Sequence, residues 1–499
     1  MSMSLVLIPL ALCAYTHLWN TSGFPNIFYD EGVYMRRAMH VMEGLGPQEA
    51  YYYDHPFFGQ IFLGGLLKVI GYAESLNLSE DLHLIESLYQ VPRALMGILA
   101  IIDTFLIYKI SEYAYNRNVA LFASVLFAVT PATWFTRMIL LDSILLPFLL
   151  LSILLAVYTS KSKSERSNNT NNILILLSGI LLGLAIFTKI PAFTMIPLVA
   201  FLIYRNNQRS LKALVTWFVP VISIPLLWRA QSIVAGAFNL WTNDVLWQIN
   251  RENAGLPWIV FLLAIIDPLI FIAGFAGLAY SFIRRDYLIL LWVLPFIAFL
   301  AAMGYTNFFY WIPILPALCI GAAKLLFDII EKSKKTSQNV LRVVVLSSIV
   351  VFGVTSTTLL IVTDVTSAQF EAAAYAASYL DGTGAGGTES PTVISNPIYS
   401  WILKYIFHKD HVLSDYRDIF YFPVDTAKSR VLLIDDPRFL LDIGNENKEL
   451  LNELYSNTST IAIFKGKVTN FDLGLYPYTS MIENYEGSEV KIRLNSSDS

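Results

Sequence analysis

Charge is scarce in this chain: of 499 residues only 14% are Asp, Glu, Lys or Arg, against about 25% in ordinary soluble domains. So few charges cannot cover a water-soluble surface of this size. The net charge of -4 and the scatter of basic residues among short segments leave no basic stripe, which excludes nucleic acid as a partner. Cysteine is scarcer still. Cys13 and Cys319 both stand in apolar runs, so buried thiols are expected and a disulfide framework is excluded. No cleavable leader is expected either, because the first apolar run, 3–19, has no basic flank and Asn20-Thr-Ser is a poor cleavage site. A retained first helix is expected. No internal repeat is visible.

What the chain has instead is hydrophobicity, at 55% of residues and a mean hydropathy of +0.55. Runs such as 138–158 and 340–363 reach the roughly 20 apolar residues that a spanning helix requires. The bilayer is the expected solvent. Short loops rich in Lys and Arg stay in the cytoplasm, and five stand out: 109–117, the stretch with Lys161, Lys163 and Arg166 in the low-complexity linker 161–172, then 205–212, 284–285 and 332–335. With these inside, spans are expected at 3–19, 91–110, 118–134, 138–158, 173–189, 190–204, 212–232, 258–282, 287–303, 307–330 and 340–363. The expected fold is therefore an all-α polytopic membrane bundle of about 11 transmembrane helices.

The run 57–73 is treated differently. Were it to span, the acidic loop Glu74 to Glu86 would be cytoplasmic and every later loop would invert. It is short and Gly-rich with Gln60 and Lys68, so a helix along the outer interface fits better. The outward segments are then 20–90, 233–257 and 364–499, and two domains are expected, a transmembrane domain over 1–363 and an extracytoplasmic domain over 364–499. In the latter, strand-like runs at 392–395, 431–434, 460–464 and 490–494 alternate with helix-like stretches at 398–408 and 437–455, the pattern of a small soluble α/β domain. Asn-x-Ser/Thr strings at Asn20, Asn77, Asn457 and Asn495 also fall outside, available to a glycosylating exterior.

Chemistry-bearing residues gather in the outward segments. Asp30 and Glu31, in NIFYDEGVYMRRAMHVMEGLG, open an interfacial helix whose apolar side carries Tyr34, Ala38, Val41 and Leu45. The bland interpretation is a cap at Asp30 with Glu31 matched to the helix dipole. In YYYDHPFFGQ, Asp54 and His55 precede a proline; this is an ordinary helix start, or a carboxylate and imidazole suited to a metal or phosphate. Asp142, in RMILLDSILLPF, lies about one turn into the bilayer, a costly place unless it is paired with Arg137 or faces a wet cavity. Lys189 and Arg93 stand at outer helix ends, to meet a phosphate or to snorkel. Asp267-Pro268 reads as a helix kink.

Taken in order, DEGVY, DHPFFGQ, RMILLDSILLPF and GLAIFTKIPAF resemble the GT-C glycosyltransferases, in the group holding the protein O-mannosyltransferases and the lipid A aminoarabinose transferases. The resemblance covers roughly 1–330. NFFYWIPILPAL resembles a late helix of that group, which puts Tyr310 near its donor pocket. There are departures: Gly32-Val33 follows the acidic pair, and His-Pro-Phe replaces His-Pro-Pro. No WWDYG string appears, which argues against an oligosaccharyltransferase, and the tail does not resemble a β-trefoil.

The resemblance implies a polyprenyl-phosphate-linked sugar as donor, an acid of the first outer loop at the reaction centre, and an inverting glycosyltransferase at the outer membrane face with its acceptor open. In that scheme Asp30 is the base. Glu31 and Asp54 position the acceptor or, with His55, hold a divalent cation; no cofactor is otherwise implied. Arg93, Arg137, Lys189 and His55 face the phosphate, with Asp142 and Tyr310 beside them. The rival is a secondary transporter or lipid flippase, which would gather its charges near the midplane and carry inverted repeats.

Overall fold

The structure, a computed structural model, describes residues 5–49, 52–72, 82–159, 168–251, 255–304, 306–333, 335–385, 390–420, 429–436, 448–466 and 489–495. It is helical with one small sheet. The chain divides into two units, the first formed by Met1–Trp19, Pro47–Gly59 and Leu95–Thr358, the second by Asn20–Gly46, Gln60–Ala94 and Leu359–Ser499.

Most of the first unit is apolar helix: α1 Leu7–Leu18, then, after α2 Tyr29–Met42 and α3 Phe58–Val69, the C-terminal stretch of α4 Leu82–Ala114, α5 Arg117–Val129, α6 Leu141–Tyr158, α7 Asn168–Thr188 and α8 Ile196–Asn206. There follow α9 Leu211–Ser223, α10 Leu226–Val234, α11 Phe238–Asn250, α12 Gly255–Ile266, α13 Pro268–Arg284, α14 Tyr287–Ala302, α15 Leu315–Glu331 and α16 Lys335–Ile361. α6 packs along α7, α7 along α9, and α13 along α15. The last pairing is a contact of small residues. A Cβ built on Gly277 would lie 2.3 Å from the Gly321 carbonyl carbon, so the backbones approach as closely as glycine allows.

Each of the eleven expected spans falls on apolar helix, yet many are broken. Among the described residues five helices are long and apolar enough to cross a membrane, or seven if each of two bent pairs counts as one span. Proline stands at the breaks after α5 and α12, where Pro131 and Pro268 open the next helix; it removes a backbone donor and clashes with the preceding turn. α5 passes into a 3-10 helix, Pro131–Arg137, with a bend of 68°. The run 258–282 divides at Asp267, whose carboxylate caps α13 through Ile270 N–H (2.9 Å) and also accepts from Ala132 N–H (3.1 Å) and the Thr130 hydroxyl. A fully satisfied cap accounts for this buried acid, as the kink interpretation expects. The run 57–73 yields the short helix α3, while its last residue and 74–81 of the acidic loop Glu74 to Glu86 lie outside the described residues.

In the second unit, α17 Ser367–Ala385, β1 Thr392–Ile394, α18 Pro397–Trp401, β2 Val431–Asp435, α19 Lys448–Ser456, β3 Thr458–Lys465 and β4 Glu489–Asn495 form the small domain. All four expected strands are present. Their order is β1-β2-β4-β3, with β1 and β2 parallel and the other pairs antiparallel. β2 is buried throughout, and its Val431 and Leu433 join Ile394, Tyr416, Ile419 and Leu454 in one core. Of the expected helix 437–455, residues 437–447 lie outside the described set.

Two of the glycosylation strings are corrected here. Asn20 donates to the carbonyls of Ile361 (2.8 Å) and Thr363 (2.9 Å). Asn495, buried, accepts from Val431 N–H and donates to Ser429 O, both at 2.7 Å. Both amides are held in the fold; Asn457 is exposed, and Asn77 lies outside the described residues.

Candidate active site

The sequence candidates divide between the two units. In the second, Asp30 and Glu31 stand in the first turn of α2, and the helix begins two residues earlier than a cap at Asp30 requires. Glu31 does the capping: its carboxylate accepts the Phe28 N–H at 3.0 Å, satisfying one of the donors a helix N-terminus leaves open. Glu31 is wholly buried, and both of its oxygens are also taken by Arg93, Nε to Oε2 at 2.9 Å and Nη2 to Oε1 at 2.6 Å. Arg93 spends its other donors on the carbonyls of Thr21 (3.0 Å), Pro25 (2.7 Å) and Asn26 (3.0 Å). A guanidinium has five N–H groups, and all five are used. Arg93, expected to face a phosphate, instead ties the entry loop to α2, and Glu31, expected as catalytic acid or metal ligand, is its counter-ion. Asp30 is the part-exposed acid of the pair.

Several residues that the sequence did not single out hold α2 in place. Tyr29 donates its hydroxyl to Asp415, which Arg417 grips at 2.9 Å, while Arg36 donates to Ser414 O at 2.6 Å. Burial acts to raise the Asp415 carboxyl, but Arg417 and Arg36 outweigh it and hold it below the usual carboxylate range. Nothing in the local string SDYRD distinguishes it from a surface loop.

In the first unit, YYYDHPFFGQ is pinned at both ends. Tyr53 N–H donates to Asp244 at 2.5 Å, while Phe57 and Phe58 pack on Phe187, and Phe58 on Phe148 as well. A Cβ on Gly59 would meet Leu141 and Thr188, the sequence neighbours of Asp142 and Lys189. Asp54 and His55 stand between the Tyr53 and Phe57 anchors. They lie 4.0 Å apart, each about a fifth exposed.

Asp142 pairs with Lys189 at 2.5 Å, not with Arg137, and both side chains are buried. The reason is the α6–α7 hairpin. Antiparallel packing brings the residue after α7 beside the first turn of α6, an acid at an N-terminus and a base at a C-terminus, each favoured by its helix dipole. The Lys189 ammonium also lies over Phe309 (4.5 Å) and Tyr310 (4.6 Å), a favourable cation–π arrangement. Arg137, in the 3-10 turn, donates to the Trp19 carbonyl. Among the described residues no three His, Cys, Asp or Glu side chains gather as a metal site, so Glu31, Asp54 and His55 do not form one.

Residues 7–250 match the family dolichyl-phosphate-mannose-protein mannosyltransferase. Among solved structures, ArnT from Cupriavidus metallidurans bound to undecaprenyl phosphate is similar at a TM-score of 0.62 and 12% identity, over 98% of this chain and 97% of that one. The oligosaccharyltransferase AglB from Archaeoglobus fulgidus, in complex with an inhibitory peptide and a dolichol-phosphate, is similar at a TM-score of 0.54 and 14% identity, over 87% of this chain and 69% of that one. No curated protein sequence matches this chain significantly.

Proposed function

Since this chain has the fold of the GT-C membrane glycosyltransferases, we propose that it moves a monosaccharide from a polyprenyl-phosphate carrier to an acceptor hydroxyl at the extracytoplasmic face, with inversion. The donor would be a polyprenyl-phosphate sugar. The observation that supports this best is the division of labour in DEGVY. Arg93 and the capping role consume Glu31, leaving Asp30 on the same rigid turn as the part-exposed carboxylate.

In the proposed reaction Asp30 takes the proton from the acceptor hydroxyl as its oxygen forms the new bond to the anomeric carbon. The bond from that carbon to the phosphate oxygen breaks, and its electron pair leaves with the lipid phosphate. A positioned base contributes about 10² to 10⁴-fold to such a step. Within the first unit, His55 and Lys189 are the groups proposed to meet a phosphate, His55 because it is part-exposed beside Asp54, and Lys189 because Asp142 and Tyr310 hold its ammonium fixed. Fixed charge of this kind stabilises a leaving phosphate without reorganising. Asp54 is proposed to orient the acceptor. Arg137 is proposed to hold the 3-10 turn of the first unit through its bond to Trp19 O. Residues 364–499 are proposed to lie wholly outside the membrane.

The test is native mass spectrometry of the protein purified with its lipids retained. A bound polyprenyl phosphate or its glycosyl ester is expected, and acceptor-rich membrane extract converts the ester to the free lipid phosphate. A preparation that retains only bulk phospholipid, and takes up no added dolichyl-phosphate-mannose, contradicts the proposal.

A further inference from the structure

The stretch that carries Asp30 is held by residues more than 330 positions later. Val365 N–H donates to Gly23 O (2.9 Å) and the Thr366 hydroxyl to Ser22 O (2.8 Å). Gln369 brackets Ile27 from both sides, accepting its N–H (3.3 Å) and donating to its carbonyl (3.4 Å). Tyr29 reaches Asp415 and receives a bond from Arg417, whose guanidinium also lies 5.2 Å from the Tyr29 ring centre. Arg417 closes on Asp415 three times, through its backbone N–H (2.9 Å), Nε (3.2 Å) and Nη2 (2.9 Å). One turn on, a Cβ at Gly32 would lie 2.4 Å from Ile398 N and 2.5 Å from Pro397 C, so α2 rests directly on the α18 backbone. Arg36 ends the series at Ser414 O.

Asp30 therefore sits between a residue bracketed by Gln369 and a residue packed on α18, with the aromatic ring beside it locked by an ion pair. Such an arrangement fixes direction as well as position.

We infer that the C-terminal domain is a positioning element for the candidate base: the Tyr29–Asp415–Arg417 cluster, together with the α18 backbone under Gly32, sets the direction in which the Asp30 carboxylate points. This rests on Asp30 being the base. Asp415 and Arg417 are positioning residues, meeting α2 through Tyr29 and, for Asp415, through the charge of Arg36. A misplacement near 1 Å at a reacting group costs as much as about 10²-fold, so loosening the cluster should lower turnover and leave donor binding alone.

The full-length protein in lipid nanodiscs tests this with Asp415→Asn, Arg417→Gln and Tyr29→Phe. Each is read for dolichyl-phosphate-mannose binding stoichiometry, donor KM and kcat per bound donor, beside Asp30→Asn. The expected result is a kcat lowered tenfold to a hundredfold in all three, donor KM within about twofold of the parent, and full binding stoichiometry. Tyr29→Phe removes one hydroxyl only, so it keeps the test decisive should Asp415→Asn not fold. A merely structural role would lower the fraction of protein that binds donor and leave kcat per bound donor unchanged; that result overturns the inference. Parent-like kcat in the cluster variants with Asp30→Asn inactive also overturns it while sparing the base. An active Asp30→Asn overturns the base, and the inference with it.

Discussion

Replacing Arg93 separates two roles that its sequence position alone cannot. In Arg93→Met the Glu31 carboxylate, wholly buried, loses its cation, and three carbonyls lose a donor. Removing one partner of a buried ion pair costs about 3–5 kcal/mol, and the stranded carbonyls act in the same direction without adding in full. Arg93→Lys keeps the charge but has three N–H groups for five acceptors, so at least two go unserved, at about 1–3 kcal/mol each. For a unit of some 200 residues, about 3 kcal/mol corresponds to roughly 6–12 °C in Tm. Thermal unfolding in nanodiscs, paired with donor binding, is the assay. Both variants should melt well below the parent, Met lower than Lys, with limited proteolysis opening the loop 20–28 first. If instead Tm holds within about 2 °C while donor affinity falls tenfold, Arg93 is the phosphate ligand that the sequence suggested and the pairing with Glu31 is not what the fold needs.

Lys189→Met strands Asp142 and should cost about 3–5 kcal/mol in thermal stability, whereas the double variant Lys189→Met with Asp142→Leu should recover most of it but not donor binding; recovery of both would remove Lys189 from the phosphate. Gly32→Ala forces a methyl onto the Ile398 backbone and should lower stability by about 1–3 kcal/mol, with a melting curve like the parent's arguing against that contact. Cysteines at the exposed positions Asn452 and Arg285 should react differently with an impermeant thiol reagent on intact cells, the first labelled and the second not. Equal labelling would break the proposed sidedness.

The sequence made the apolar helices and all four strands legible, because both signals are local: long apolar runs for the one, short buried runs between polar stretches for the other. Strand order was not legible, since β4 enters between β2 and β3 and nothing within a strand records its neighbours. The number of unbroken spans was overestimated where proline or a capping acid, as at Asp267, divides an apolar run. At the candidate site the acidic pair stood out by its place just after the first apolar run, but the roles within it depended on Arg93, 62 residues away. The Asp142–Lys189 pair could have been found by folding α6 and α7 as an antiparallel hairpin, which places their ends together. Asp415 carried no such signal.

The central claim is tested most directly by Asp30→Asn in a transfer assay with radiolabelled dolichyl-phosphate-mannose, following label leaving the lipid fraction. Asp30 lies within the first turn and does not cap it, so the amide keeps the shape of the side chain and removes its charge, the helix-dipole part of that change being about 0.3–1 kcal/mol. The account predicts a parent that releases the lipid phosphate, and a variant of unchanged Tm and donor binding that turns over more than about a hundredfold more slowly. A variant that transfers sugar within a fewfold of the parent would contradict it.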